Sequence, residues 1–354
     1  MRALVLLAAL VAGAAPPVRA TSLPRTAIVG APWQVVLRAS SAPTVVASGP
    51  ATLRVKASGR NGVYRASLRF PRAGSWRVSA TLRGRTTQLG SVAVDVARDP
   101  ALVDPIGIAV EPSGSLLVAQ LREAPLLRLA GGRLSSVGDG PSGFFQLTVT
   151  GSAAYAAGRD GAVYRLRGTT LERITPPLDA GSVAADAVGN LYVTVYAGYV
   201  KRVALDGTVT TVAGDGTEGY AGDGGPARSA KLFHPHAIVF GADGALYVAD
   251  TENRRIRRID LGTGLISTLG GDVGVTVSLA AAPDGSIYSA DVVRDGTGGG
   301  VTRTTAGGVT TRLLTHPTVN GVAVAPDGTV YVNRWEDKRI DRLAGGRLEP
   351  IARG

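Results

Sequence analysis

Ala237–Asp250 reads AIVFGADGALYVAD, an apolar run, an Asp243-Gly244 turn and a second apolar run closed by an acid. Two alternating runs around a D-G pair signal a tight β-hairpin. The same text recurs as GIAVEPSGSLLVAQ (Gly107–Gln120), GSVAADAVGNLYVTV (Gly181–Val195), SLAAAPDGSIYSAD (Ser278–Asp291) and GVAVAPDGTVYVNR (Gly321–Arg334), with TVTGSAAYAAG (Thr148–Gly158) a worn copy. The turn positions Gly114, Ser152, Gly189, Gly244, Gly285 and Gly328 are spaced by 38, 37, 55, 41 and 43 residues.

Two more short strands follow each copy, as RIRRIDLGTG and LISTLGG follow the quoted one. Four antiparallel strands in a repeat of about forty residues make a propeller blade. Six blades fill residues 99–354, and the last copy carries all four of its strands, GVAVAP, TVYVNR, RIDRLAG and RLEPIA. The ring therefore needs no strand from the N-terminus, although a swap of the outermost strand stays open.

Residues 21–98 are short apolar alternations broken by Gly and Pro. Tyr64, Ala66, Leu68 and Phe70 alternate with polar residues, as do Trp76, Val78, Ala80 and Leu82 beyond the turn Pro71–Gly74. The pattern predicts a hairpin with one dry face inside a two-sheet sandwich. GVYRASLRFPRAGSWRVSATL resembles the late hairpin of bacterial immunoglobulin-like domains.

The longest spacing holds an insertion, AGDGTEGYAGDGGPA (Ala213–Ala227), in which Gly214, Gly216 and Gly219 satisfy G-x-G-x-x-G. A dinucleotide fingerprint needs a βαβ unit, whereas these glycines join antiparallel strands. Asp215, Glu218 and Asp223 match no regular calcium loop.

Ala213–Asp260 as a whole resembles the extended repeat of the NHL family. A GDG-rich connector and an A-x-L-x-x-P segment (Ala230, Leu232, Pro235) precede the D-G turn, L-Y-V-A-D (Leu246–Asp250), a turn with Asn253, and an outer basic strand. The resemblance implies an NHL-type propeller in which the glycines turn the backbone. It also implies that Asp250 and Asn253 tie strands together and that Arg255 or Arg258 reaches a neighbouring carboxylate or carbonyl.

Residues 1–20, MRALVLLAALVAGAAPPVRA, read as a secretory signal peptide cleaved near Ala20, too short in its apolar part to span a bilayer. The expected location is extracytoplasmic. Zero cysteines exclude disulfides and thiolate metal sites. The formal charge of +11, or +9 without Arg2 and Arg19, favours anionic partners such as wall polymers or glycans. The basic residues are scattered singly, which argues against nucleic acid. A monomer without a transmembrane segment in the mature chain is expected.

First strands of propellers line a central channel. Eight residues before each turn stand Ile106, Phe144, Gly181, His236, Val277 and Asn320. Six residues after it stand Gln120, Gly158, Val195, Asp250, Asp291 and Arg334, with Asn333 beside the last. His236, Asp250, Asp291, Asn320 and Asn333 are the candidate ligand-binding residues at the channel mouth. His236, Asp250 and Asp291 are the candidates for holding calcium or zinc.

Propeller lyases that hold zinc with histidines from several blades, and regucalcin-type lactonases, imply ligand sets this chain does not reproduce. Its three histidines are His234, His236 and His316, and only His236 falls on a channel position. Neither G-x-S-x-G nor H-E-x-x-H occurs, and no catalytic residue is assigned. The sequence thus predicts an all-β protein, a six-bladed NHL-type propeller behind an immunoglobulin-like sandwich. It serves as a secreted binding or scaffold protein facing a protein or glycan, or alternatively as a metal-dependent lactonase or lyase.

Overall fold

A computed structural model of the 354-residue chain describes residues 18–22, 26–28, 32–48, 52–69, 74–83, 85–95, 101–121, 126–137, 143–292 and 299–353. The chain divides into two compact units, Met1–Arg98 and Asp99–Gly354. Most of the expected leader, the turn at residues 70–73 and the junction at residues 96–100 lie outside the described residues.

The described residues of the first unit form nine strands: β1 (Val18–Ser22), β2 (Thr26–Ile28), β3 (Pro32–Ala39), β4 (Thr44–Ser48), β5 (Thr52–Lys56), β6 (Ser58–Arg60), β7 (Val63–Arg69), β8 (Gly74–Leu82) and β9 (Arg85–Asp95). They form two sheets in the orders β1-β3-β7-β6 and β2-β9-β8-β4-β5. Val35, Leu37, Ala66 and Leu68 of one sheet and Val45, Ala47, Trp76, Val78 and Val92 of the other share one core.

The predicted alternation is present, but β7 and β8 are not a hairpin. β7 pairs with β3 and β6, and β8 pairs with β4 and β9. An alternation with one dry face is satisfied equally by a hairpin and by two strands facing each other across a core, because both bury the same side chains.

In the second unit six four-stranded sheets follow one another, each built from consecutive antiparallel strands. Their first strands are Pro105–Val110, Phe144–Thr150, Ala180–Ala185, Pro235–Phe240, Val275–Ala281 and Val319–Val324, each adjacent to the next and the last adjacent to the first. This is a β-propeller, and the sheets are numbered here as blades 1 to 6.

Apolar faces of neighbouring sheets bury each other around the whole ring. Phe144 and Leu147 of blade 2 pack with Leu117 and Leu126 of blade 1, and Leu246 and Val248 of blade 4 with Tyr192 and Val200 of blade 3. Ala323 and Ile340 of blade 6 pack with Ile108, Leu116 and Leu127 of blade 1, so the closing seam is a hydrophobic interface like the others. Blade 6 supplies all four of its own strands.

The glycine-rich insertion folds back onto blade 4. Arg257, fully buried, donates to Asp223 (2.8 Å), to the Ala221 carbonyl (3.2 Å) and to the Lys231 carbonyl (3.3 Å). The Tyr220 ring lies 5.0 Å from its guanidinium carbon, and Asn253 donates to the Gly219 carbonyl (2.7 Å). Gly216 has φ +82°, and a Cβ there would sit 2.0 Å from the Tyr199 hydroxyl oxygen. These glycines allow close backbone approach.

Candidate functional site

Each first strand begins with a break in its pairing register. In blade 1 Pro105 pairs with Gln120 and Gly107 with Ala119, which leaves Ile106 unpaired. The same break leaves Gly181, Val277 and Asn320 unpaired in blades 3, 5 and 6, and two residues, Phe145-Gln146 and His236-Ala237, in blades 2 and 4. A β-bulge re-aims the side chain of its extra residue. The break recurs in all six blades, and five of them place a bulge side chain in one common cavity.

Ile106, Gln146, His236, Val277 and Asn320 line this cavity of about 550 Å³. Its other described wall residues are Val292, at the end of the strand Ile287–Val292, and the loop residues Leu121, Pro317, Trp335 and Glu336. The sixth bulge residue, Gly181, has no side chain, and a Cβ there would lie 2.9 Å from the Tyr196 ring. Tyr196 takes that place, 5.4 Å from the His236 ring, and burial pushes its hydroxyl up to about 12.

The polar groups are held by hydrogen bonds that fix which atom faces the cavity. Gln146 donates from Nε2 to the Val277 carbonyl (3.2 Å), linking blades 2 and 5. Asn333 donates from Nδ2 to the Pro105 carbonyl (2.6 Å) and to Asn320 Oδ1 (2.5 Å). A carbonyl can only accept, so the Asn333 amide is oriented by Pro105, and Asn320 is left with its NH₂ for the cavity. Thr194 Oγ1 donates to the His236 carbonyl (2.9 Å), and Thr251 Oγ1 to the Thr276 carbonyl (2.7 Å), pinning two more bulges from the preceding blades.

Of the five predicted residues, only His236 and Asn320 line this cavity. Asn333 is fully buried as the polar latch across the closing seam. Asp250 is also fully buried: Oδ1 accepts from the Phe233 amide (2.7 Å) and Asn253 (2.8 Å), and Oδ2 from Arg257 (3.0 Å). Burial raises its pKa against those bonds.

Asp291 pairs with Arg312 (2.6 Å) and lines a different, polar cavity of about 520 Å³ with Arg254, Asp272 and Thr302. Its pKa is likewise raised by burial. The proposed calcium or zinc site at His236, Asp250 and Asp291 is therefore not formed: among the described residues no three His, Cys, Asp or Glu side chains converge as a metal would require. The physical reason is the pleat. Asp250 and Asp291 sit opposite the residue before the bulge, where successive side chains leave a strand on opposite faces.

His234 and His316 do not join His236 either. His234 is exposed, 3.9 Å from Glu218, and His316 contacts Arg334. Residue spacing also misassigned blade 2, where Phe144 belongs to the core and Gln146 reaches the cavity, because its hairpin closes with Thr150 paired to Ala153, a shorter turn than the one between Phe240 and Leu246 in blade 4. Trp335 and Glu336 were missed because they lie in a loop outside the repeat.

The expected crossing of the outer basic strand is seen at Arg258, which reaches Asp243 (2.8 Å). Arg255 bonds the Arg254 carbonyl (3.0 Å). Glu111–Arg128 (2.6 Å) and Asp284–Arg303 (2.7 Å) repeat the turn-acid pairing in blades 1 and 5.

No family model and no curated protein matches the sequence. Among solved structures, the chain is similar to a streptogramin B lyase (17% identity, TM-score 0.52, covering 72% of this chain and 84% of that one). It is similar to a virginiamycin B lyase from Staphylococcus aureus (16%, 0.51, 70% and 84%). A catalytically inactive histidine-to-alanine form of the same Staphylococcus aureus enzyme, with quinupristin, matches comparably (16%, 0.50, 72% and 85%). At these identities the likeness is one of fold, the β-propeller.

Proposed function

We propose that this is a secreted ligand-binding propeller, of the NHL type and with an immunoglobulin-like domain in front, whose site is the bulge-lined cavity at the channel mouth. One observation carries the reading: bulges aim side chains from separate blades into a single cavity of about 550 Å³, the size of a small-molecule site. Ile106, Leu121, Val277, Val292, Pro317 and Trp335 make the wall largely apolar, and Gln146, His236, Asn320 and Glu336 supply a few polar contacts.

The ligand has an apolar body and is neutral or cationic. Among the described residues no Lys or Arg lines the cavity, and Glu336 is the one charged side chain there, although the whole chain is basic. The test is a thermal-shift screen of matched neutral, cationic and anionic amphiphiles. Stabilisation by the first two classes, reduced by His236→Ala and Asn320→Ala, supports the reading. Stabilisation by anions alone, unaffected by both substitutions, refutes it.

An enzymatic reading has one specific support, an imidazole and a carboxylate, His236 and Glu336, lining one cavity. Such a pair can serve as base and acid. The lyase likeness suggests virginiamycin B as the first compound to try, with His236→Ala as the control.

A further inference from the structure

Two pieces of the cavity wall, Pro317 and the pair Trp335-Glu336, are each held at both ends by one closed ring of hydrogen bonds. His316 and Thr318 flank Pro317, and Arg334 and Asp337 flank Trp335-Glu336. Thr318 Oγ1 donates to Asp337 Oδ2 (2.6 Å), and Arg334 Nη1 donates to the same oxygen (2.6 Å). Arg334 Nη1 also lies 3.2 Å from His316 Nε2, and His316 Nδ1 lies 3.2 Å from Thr318 Oγ1. The Trp335 amide donates to the Thr318 carbonyl (3.2 Å), joining the two pieces directly.

The guanidinium decides the imidazole's tautomer over the weaker contact of the Thr318 amide with His316 Nδ1 (3.4 Å). Arg334 can only donate, so the contact assigns His316 Nε2 as the acceptor and places the proton of the neutral imidazole on Nδ1. The Thr318 hydroxyl gives its hydrogen to Asp337, so it accepts from His316 Nδ1. A proton on Nε2 would point an N–H at a guanidinium and break the ring at that bond.

Resting on the ligand site proposed above, we infer that His316 is a positioning residue whose protonation loosens the Pro317 and Trp335-Glu336 wall, so that occupancy of the cavity falls as the medium acidifies. The charged groups facing His316 are Arg334, Arg339, Asp337 and Asp341. Arg334 itself is anchored by Asp341 (2.7 Å), which also accepts from Arg339 (3.3 Å). Burial first, then Arg334, holds the His316 pKa below the ordinary histidine value, with Asp337 and Asp341 opposing. A histidine depressed in the folded state contributes stability above its unfolded pKa of about 6.5 and loses it as pH falls. The working window is therefore below about pH 6.5, with up to about tenfold in affinity for each pH unit of coupling.

The first readout needs no ligand. Trp335 emission, taken as the difference between the wild type and Trp335→Phe, is followed with acrylamide quenching from pH 7.5 to 5. Quenching is expected to rise about twofold as pH falls, on the scale of one protonation event, and to be flat in His316→Gln. Asp337→Asn, which weakens the acceptor at the centre of the ring, should show the loosened wall already at pH 7.5. Circular dichroism checks that each variant is folded.

The second readout titrates the neutral dye N-phenyl-1-naphthylamine over the same range, with Val277→Trp to fill the cavity. Dye affinity that depends on Val277 and falls several-fold with acid only when His316 is present supports the gate. Val277-dependent binding that ignores pH overturns the gate and leaves the ligand site standing. Dye binding indifferent to Val277→Trp overturns the ligand site, while Trp335 quenching still decides the gate: the same quenching curve in His316→Gln as in the wild type overturns it.

Discussion

At the scale of single residues, the candidate acids separate by what already occupies them. Asp250 and Arg257 are both fully buried, and each meets the other inside a set of further hydrogen bonds. Removing one partner leaves an uncompensated buried charge, so Arg257→Met should cost about 3–5 kcal/mol in urea denaturation, whereas Asp250→Asn with Arg257→Met together should recover part of it. Glycines at the bulges are equally specific. A Cβ on Gly321 would overlap Asn333 Oδ1, at 1.7 Å, and one on Gly181 would press on the Tyr196 ring at 2.9 Å. Gly321→Ala should therefore destabilise more than Gly181→Ala, read as the difference in melting temperature. Gly181→Ala should instead shift Tyr196 off His236, visible in the imidazole proton resonances.

Elements explain which parts of this account were legible in the sequence. The hairpins at the heart of each blade were, because an alternating run, a D-G turn and a second run leave little choice of local geometry. Four of the six bulge residues were placed by counting back from the turn and face the cavity as expected: Ile106, His236, Val277 and Asn320. Gln146 was not, since the shorter turn between Thr150 and Ala153 shifts the count, and Trp335 and Glu336 were not, since loops carry no periodicity. Pairing partners in the first unit were hidden too, as with β7 and β8, because alternation reports a face and not a neighbour.

In the insertion, whose glycine spacing reads as neither a dinucleotide fingerprint nor a regular calcium loop, Arg257 and Asn253 use the carbonyls as a latch. Asn253→Ala should raise amide exchange across residues 215–224 and leave the blade 4 strands protected. β1 bears on the leader. Val18 is buried and pairs with Ala39, and Ala20 pairs with Leu37, so cleavage at Ala20 would remove three of the five residues of a packed strand. We propose cleavage upstream instead, at the small-x-small sequence Ala12-Gly13-Ala14. If the chain is exported as proposed, intact mass of the mature protein should place the first residue before Val18; a chain beginning at Thr21 would restore the Ala20 site.

On the scale of the whole molecule, a ring of separately formed sheets depends on its last seam. Hydrophobic packing of Ala323 and Ile340 against Ile108 and Leu127 closes it, and the Asn333–Pro105 bond fixes its polar register. Asn333→Leu should weaken that seam and raise amide exchange first in blades 1 and 6. The charge of the chain is spread over exposed pairs such as Arg165–Glu172 and Arg258–Asp243, which add little to stability and leave the basic character to act on partners at long range. No helix among the described residues is long and apolar enough to cross a membrane.

The central claim is that the ring exists to hold a ligand where its bulges converge. It is tested most directly by titrating Trp335 fluorescence with size-matched neutral, cationic and anionic aromatic compounds, in the wild type and in Val277→Trp. Saturable quenching by the neutral and cationic compounds, lost when the introduced indole fills the cavity, is the result predicted. Quenching that persists in Val277→Trp, or that favours the anion, would place binding elsewhere on the propeller and contradict the account.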